Sequence, residues 1–185
     1  MNMKKKTTQF NHWEIKGRKL NFGCGSKGYE GFYNVDIIKA DGIDQSFDFD
    51  QFPYSIKDDQ FNYVLLNQVL EHCLYPKRVL EELRRICKDK AMIEIKSPCA
   101  NSRTALCELD HCSQFNRWSF LNLNGMNKNG IKEEKFKIIQ NRSNPQRFIK
   151  WIPIPILNFL SYFLDGIYVD IHVIVEVIKD NPKKK

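Results

Sequence analysis

The segment Leu20-Asn21-Phe22-Gly23-Cys24-Gly25-Ser26 has the residue types of a ligand loop. Glycines directly after a strand let the backbone approach a ligand closely and leave N–H groups free to donate. Eleven residues beyond Gly25 stands Asp36, at the end of the next apolar stretch. A carboxylate at the tip of a neighbouring strand can accept two hydrogen bonds from the hydroxyls of a ribose. A capping or turn carboxylate is the other reading of the same residue. The spacing separates cofactor classes. A nicotinamide site takes three glycines in G-x-G-x-x-G, a helix after them and an acid roughly 20 residues on. Here the third glycine is missing and the acid comes early, and the phosphate-gripping pattern G-x-x-x-x-G-K-[ST] does not occur.

These groups need strands and helices to position them. Residues 18–22, 32–37 and 61–66 read as strands, with a shorter one over 43–48. The run Phe61-Asn-Tyr-Val-Leu-Leu66 is nearly unbroken in apolar character, which suits a strand of a parallel sheet covered on both faces. A parallel crossover usually takes about a dozen residues or more. The link from Gly25 to Val35 is shorter, so the first helix must shrink to a turn or vanish. Pro76 opens a predicted helix, where a missing N–H costs little. Val79, Leu80, Leu83 and Ile86–Cys87 form one apolar face of it and charged residues the other. Residues 91–96 form a further predicted strand, ended by Ser97–Pro98, with Glu94 inside it and no partner evident for that carboxylate.

Residues 99–130 are polar and loop-like, with a short helix predicted over Ser113 to Leu123. Strands follow at 135–140 and 171–178, the latter rich in β-branched residues. Between them lies Trp151-Ile-Pro-Ile-Pro-Ile-Leu-Asn-Phe-Leu-Ser-Tyr-Phe-Leu164. It reads either as a helix packed on the sheet or as an interfacial segment touching a membrane or lipid-like substrate. Alternating strands and helices predict an open α/β sheet. Gly23, Asp36, Asp48 and Asn67 all fall at predicted carboxyl ends of strands, the edge at which open α/β sheets bind ligands.

The chain has 185 residues, 42 % apolar and 28 % charged, which fits one globular domain and excludes global disorder. The division expected is a partly disordered N-terminal segment over 1–17, one domain over 18–180 and a basic tail over 181–185. The net charge of +7 is carried largely by Lys4, Lys5, Lys6 and Lys183, Lys184, Lys185; without them 23 basic residues face 22 acidic ones. Solvated ends explain these lysines more simply than phosphate-binding arms. No apolar run approaches the ~20 residues of a membrane-spanning helix, and no apolar stretch follows the N-terminal lysines as in a secretory signal. A cytoplasmic protein with free thiols is therefore expected, with peripheral membrane contact following only from the interfacial reading of 151–164. None of the six cysteines forms a C-x-x-C pair. A zinc site from Cys99, Cys107, His111 and Cys112 is disfavoured, because adjacent residues rarely both ligate one tetrahedral ion; no metal is expected.

Taken together, L-N-F-G-C-G-S-K, E-G-F-Y-N-V-D-I, F-D-F-D and D-D-Q-F-N-Y-V-L-L-N-Q-V-L-E-H resemble the class I S-adenosylmethionine-dependent methyltransferases over roughly residues 18–98. The likeness is to a small prokaryotic branch that reads "LNLGCG…NVD…VLEH". It implies a Rossmann-like α/β fold with a mostly parallel open sheet and an antiparallel C-terminal strand. It implies S-adenosylmethionine as cofactor. Gly23, Cys24 and Gly25 match the loop around its methionine part, Asp36 the acid on its ribose, and Ile37 the apolar contact under adenine. Asp48 matches the acid that accepts from the adenine amino group, with the Phe49 N–H beside it. Asn67 and Gln68 match the end of the fourth strand, near the sulfonium, and His72 a position at the start of the following helix. Asn21 and Ser26–Lys27 depart from the family's usual acid and third glycine.

Two acids suit a cofactor that is cationic at sulfur and presents hydroxyls and an amine. Methyl transfer is an in-line displacement for which a protein chiefly supplies alignment and a dry site. A hydroxyl acceptor would also need a general base. His111, beside Asp110, is the first candidate and His72 the second, with a structural role the alternative for each. The resemblance points to a small-molecule, saccharide or lipid-linked acceptor. An RNA or protein methyltransferase, and a non-catalytic cofactor-binding subunit, are the other readings; nucleic acid is not favoured.

Overall fold

The computed structural model describes residues 14–26, 28–100, 102–121, 123 and 134–179. The expected N-terminal segment up to residue 13, the tail over 181–185 and Lys27 lie outside the described residues. The strands are β1 (Lys19–Phe22), β2 (Tyr33–Asp36), β3 (Gln45–Ser46), β4 (Phe61–Asn67), β5 (Cys87–Pro98), β6 (Phe136–Pro145) and β7 (Tyr168–Val177). They form one sheet in the order β3-β2-β1-β4-β5-β7-β6. β1 to β5 run parallel, while β7 is antiparallel to both β5 and β6. This is the Rossmann-like α/β arrangement that the motifs imply, antiparallel last strand included.

Among the described residues no helix stands between β1 and β2, as the short link requires. The helix opened by Pro76 is α1 (Pro76–Ile86), which buries Val79, Leu80, Leu83 and Ile86. They meet Leu20, Phe22, Val64, Leu66, Ile93, Ile95, Val173 and Val175, the side chains of one sheet face. Such alternation follows from the two-residue period of a strand. The other face carries a smaller cluster of Phe32, Tyr63 and Leu65.

Three expectations give way. β5 starts directly after α1 at Cys87 and reaches Pro98, with a break in pairing between Phe61 and Tyr63 of β4 and Lys90 at φ 62°. The third strand shrinks to two residues. In place of a helix over Ser113 to Leu123 there is a turn, and a short helix α2 (Arg103–Cys107) precedes it. The reason is local. Asn116 Oδ1 accepts from the N–H of Trp118 (2.9 Å) and Ser119 (3.2 Å), and Ser119 Oγ accepts from the Asn116 N–H (3.1 Å). Side chains that bond neighbouring amides in this way compete with helical pairing.

Glu94, only 3 % exposed, finds its partners across three strands. His172 Nε2 lies 2.7 Å from Oε1, Lys96 Nζ lies 3.0 Å from the same oxygen, and the Tyr63 hydroxyl donates to Oε2. Gln140 Nε2 lies 3.1 Å from His172 Nδ1. The pattern is consistent if His172 donates from Nε2 and accepts at Nδ1. Burial alone would push the Glu94 carboxyl up, but the bonds from His172, Tyr63 and Lys96 outweigh it and hold it at about 2. A depressed folded-state value adds stability above the ordinary carboxyl value and loses it as pH falls toward the folded one. Wild-type stability should therefore decline from about pH 4.5 to about pH 2 through this group. Glu94→Ala should lower unfolding stability by about 3 kcal/mol and flatten that limb, as denaturant titrations across pH would show.

Candidate functional site

At the carboxyl ends of β1, β2 and β4 the structure opens a cleft of about 400 Å³, a size that suits a nucleoside-sized ligand. Gly23, Gly25, Asp36, Ile37, Asp48 and Phe49 line one part of it, and Gln68, Val69 and His72 another. Asp50, Cys73 and Asp110 complete the wall. The cleft thus draws together most residues singled out in the sequence. Cys24 and Asn67 are not in the lining. His111 is not either, but its ring sits 4.8 Å from that of His72.

The glycine loop does not offer free amides, contrary to the expectation from its sequence. The N–H groups of Gly23 and Cys24 both donate to Val35 O, at 2.9 and 3.1 Å. The Gly25 N–H donates to Asp36 Oδ2 at 2.7 Å. All three are committed to β2, so these three amides form no anion nest. Gly23 has φ +73°, and a Cβ there would lie 2.3 Å from a Val69 methyl. Gly25 has φ +63° and open space where a Cβ would stand. The first glycine lets the loop pass Val69; the second leaves room in the cleft.

Asp36 is buried, and its Oδ1 also accepts from the Ile38 N–H at 3.2 Å. The carboxylate is therefore fixed before any ligand arrives. Asp48 turns back to accept from the Asp50 N–H at 2.9 Å. Phe49 stacks on Phe22 at 4.0 Å between centroids, which plants this loop on the core. Ile37 is 61 % exposed, an apolar side chain held at the rim. Gln68 has φ 58°, a left-handed backbone that a non-glycine residue adopts at a cost of about 1–3 kcal/mol. Its N–H is tied to Lys96 O at 2.8 Å.

Asp50 is a site residue that the sequence reading missed. Its carboxylate accepts from the N–H groups of Leu74 (2.9 Å) and Tyr75 (3.1 Å), ordering the approach to α1. The signal available was its place in F-D-F-D, directly after Asp48 and Phe49. Cys73 also escaped notice; burial, then the nearby Asp50, pushes its thiol up to about 12.

His72 and His111 meet because a strap folds back over the 3₁₀ turn Leu70–His72. The N–H groups of Cys112 and Ser113 both donate to Glu71 O at 2.9 Å. His72 Nδ1 lies 3.1 Å from Asp110 Oδ2. Asp110 therefore sits beside His72, whereas the sequence paired it with His111. His111 Nδ1 faces Ala105 O at 3.2 Å. Among the described residues, the groups able to hold a metal ion include His111 but no cysteine.

The donor set fits S-adenosylmethionine. The lining includes four carboxylates, from Asp36, Asp48, Asp50 and Asp110, and no lysine or arginine among the described residues. Inward-turned amides and acidic walls favour a cation bearing hydroxyls and an amine, and disfavour phosphates.

Residues 9–142 match the sequence profile of the methyltransferase-domain family. A S-adenosylmethionine-dependent methyltransferase from Archaeoglobus fulgidus shares the fold at TM-score 0.57 and 16 % identity, over 86 % of each chain. One from Methanosarcina mazei does so at TM-score 0.55 and 11 % identity, over 91 % of this chain and 97 % of that one. The [4+2]-cyclase SpnF is also similar, at TM-score 0.56 and 11 % identity, over 89 % of this chain and 76 % of that one. No curated protein matches in sequence. The chain belongs to the methyltransferase-domain family, the class I enzymes that use S-adenosylmethionine as methyl donor.

Two substitutions probe the cleft. Asp36→Ala should weaken S-adenosylhomocysteine binding at least ~10-fold, since it removes the loop's anchor and the carboxylate that the family resemblance assigns to the ribose. Gly23→Ala should do so too, and adding Val69→Ala should recover only part of the loss, because the crowding goes and the positive φ stays. Isothermal calorimetry reads both.

Proposed function

We propose that this methyltransferase acts on a saccharide acceptor carried by a lipid, and that it meets this acceptor at a membrane surface. One observation carries the reading. The connection between β6 and β7 lies at the same edge of the sheet as the cofactor cleft, and it turns its apolar side chains outward. The sequence allowed a helix packed on the sheet here. A 3₁₀ turn at Arg147–Ile149 precedes the short α-helix Ile154–Leu160 (α3), of which Leu157 is the one buried residue. Trp151 is 81 % exposed, Phe148 74 %, and Tyr162 and Phe163 73 % each. Exposed apolar clusters of this kind mark interaction surfaces.

Its chemistry favours a lipid interface over a protein groove. The charged residues between β6 and β7 are Arg147, Lys150 and Asp165, and the two ahead of α3 are both basic. Aromatic and branched side chains beside basic ones suit the boundary between acyl chains and anionic headgroups. The segment would lie on such a surface, for no helix among the described residues is long and apolar enough to cross a membrane.

A second hollow, of about 170 Å³, links this segment to the strap. Asn116, Arg117 and Trp118 line one wall and Ser161, Tyr162 and Leu164 the other. Arg117 Nη1 donates to Asn158 Oδ1 at 3.2 Å, and the Tyr168 hydroxyl donates to the same oxygen at 2.6 Å. Polar groups over an apolar floor can orient a sugar whose lipid lies along α3.

The donor supplies a methyl carbon on a sulfonium, and transfer breaks that carbon–sulfur bond as the bond to the acceptor forms. Asp36 and Asp48 would hold the donor, and Gln68 and His72 line the same cleft. A hydroxyl acceptor must also shed a proton. The polar groups placed for that task are His72 in the cleft wall, Asp110 beside it and His111 behind.

The test is sedimentation with vesicles of anionic phospholipid. Wild type should bind them, and the variant Trp151→Ser/Phe159→Ser/Phe163→Ser should bind at least ~10-fold more weakly while taking up S-adenosylhomocysteine normally. Absence of vesicle binding, together with turnover only on water-soluble acceptors, would remove the lipid reading and leave the methyltransferase intact.

A further inference from the structure

We propose that Glu71, His72 and His111 bind one divalent metal ion, of the Mn²⁺ or Zn²⁺ type, in the wall between the cofactor cleft and the strap. The inference deepens the functional reading, since its catalytic meaning rests on a hydroxyl acceptor in that cleft. The three residues each bring a ligating atom within 4.8 Å of the others. Ligands about 2.1 Å from one ion sit roughly 3 to 4 Å apart, so a small contraction closes the set.

The independent observation is Glu71. It is 1 % exposed. Its Oε2 accepts from Ser97 Oγ at 3.0 Å, yet its Oε1 is buried with no hydrogen-bond partner. Leaving a buried carboxylate oxygen unsatisfied is costly, and this one belongs to a cluster of metal-ligand types.

The histidines are arranged as ligands. The 3.2 Å contact of His111 Nδ1 with Ala105 O suits an Nδ1–H donor, which leaves the Nε2 lone pair available as a ligand. Its side chain is 4 % exposed. His72 Nδ1 rests on the Asp110 carboxylate at 3.1 Å. Carbonyl and carboxylate supports of this kind orient metal-bound imidazoles. The charge balance agrees. Glu108 Oε2 lies 3.4 Å from His111 Nε2, so three carboxylates surround two rings. Among the described residues no lysine or arginine forms an ion pair with any of them. Two imidazoles with carboxylates are a donor set for first-row divalent metals.

The sequence reading weighed and disfavoured a zinc site on Cys99, Cys107, His111 and Cys112, and gave His111 and His72 the role of base. A cation changes the task. Its charge favours loss of the acceptor's hydroxyl proton, which Asp110 or water can take, while the oxygen bonds to the methyl carbon and the carbon–sulfur bond breaks.

The experiment strips the full-length chain with a chelator and titrates it with Mn²⁺ and with Zn²⁺ by calorimetry, following Mn²⁺ by electron paramagnetic resonance. Saturable uptake of one ion per chain is expected, at least ~10-fold weaker in Glu71→Gln and in His111→Gln. S-adenosylhomocysteine binding in chelator is the control for fold and cofactor site, and neither variant should change it more than about twofold. Should Glu71→Gln fail to fold, His111→Gln decides alone. Uptake of neither metal by a chain that binds S-adenosylhomocysteine overturns the proposal, as does unchanged affinity in the folded variants. Metal uptake without S-adenosylhomocysteine binding would instead overturn the cofactor assignment and leave the metal site standing.

Discussion

The carboxyl edge of the sheet is organised by the close passage of the Gly23 backbone over Val69. A methyl group on residue 23 would occupy the space of the valine side chain. The loop after β1 and the turn after β4 are thereby locked in one register. That register places a functional group on each side of the contact. On one side Gly25 reaches Asp36, so the acid of β2 is set by the loop that it serves. On the other, Val69 leads into Leu70–His72, so the histidine of the cleft is placed by the same contact. The described residues of the link from β1 to β2 form no helix, and with little slack the link keeps the loop hard against Val35 O.

The electrostatic character of the cleft is a consequence of this geometry. In a dinucleotide fold the glycine loop turns amides toward phosphate. Here the corresponding amides are spent on β2, and what remains at the surface is carbonyl and carboxylate. The choice of a cationic donor over a phosphorylated one is thus written into backbone hydrogen bonds as much as into Asp36 and Asp48.

The strands and α1 were legible because their signals are periodic and their burial is collective. Phe61 to Leu66 could be little else than a sheet strand, and Pro76 with Val79, Leu80 and Leu83 marked α1 on one face. The short β1–β2 link was legible from spacing alone. What escaped depended on side chains meeting across distance in sequence. Glu94 looked misplaced until Tyr63, His172 and Lys96 arrived from three strands. The helix over Ser113 to Leu123 failed because Asn116 and Ser119 bond the local backbone. Asp110 lies next to His111 in sequence, yet the fold of the strap gives it to His72.

The two halves of the sheet carry different duties. Most groups that line the donor cleft come from β1 to β4 and the loops after them, and Asp110 joins them from the strap. The strap over 99–123 and the connection from 145 to 167 both come after β5. On the proposed reading, in which the strap and that connection receive the acceptor, mutational drift there would alter what is methylated while leaving most donor contacts in place. A chimaera joined within β5 would then keep the donor loops of one parent and take the two later loops of the other.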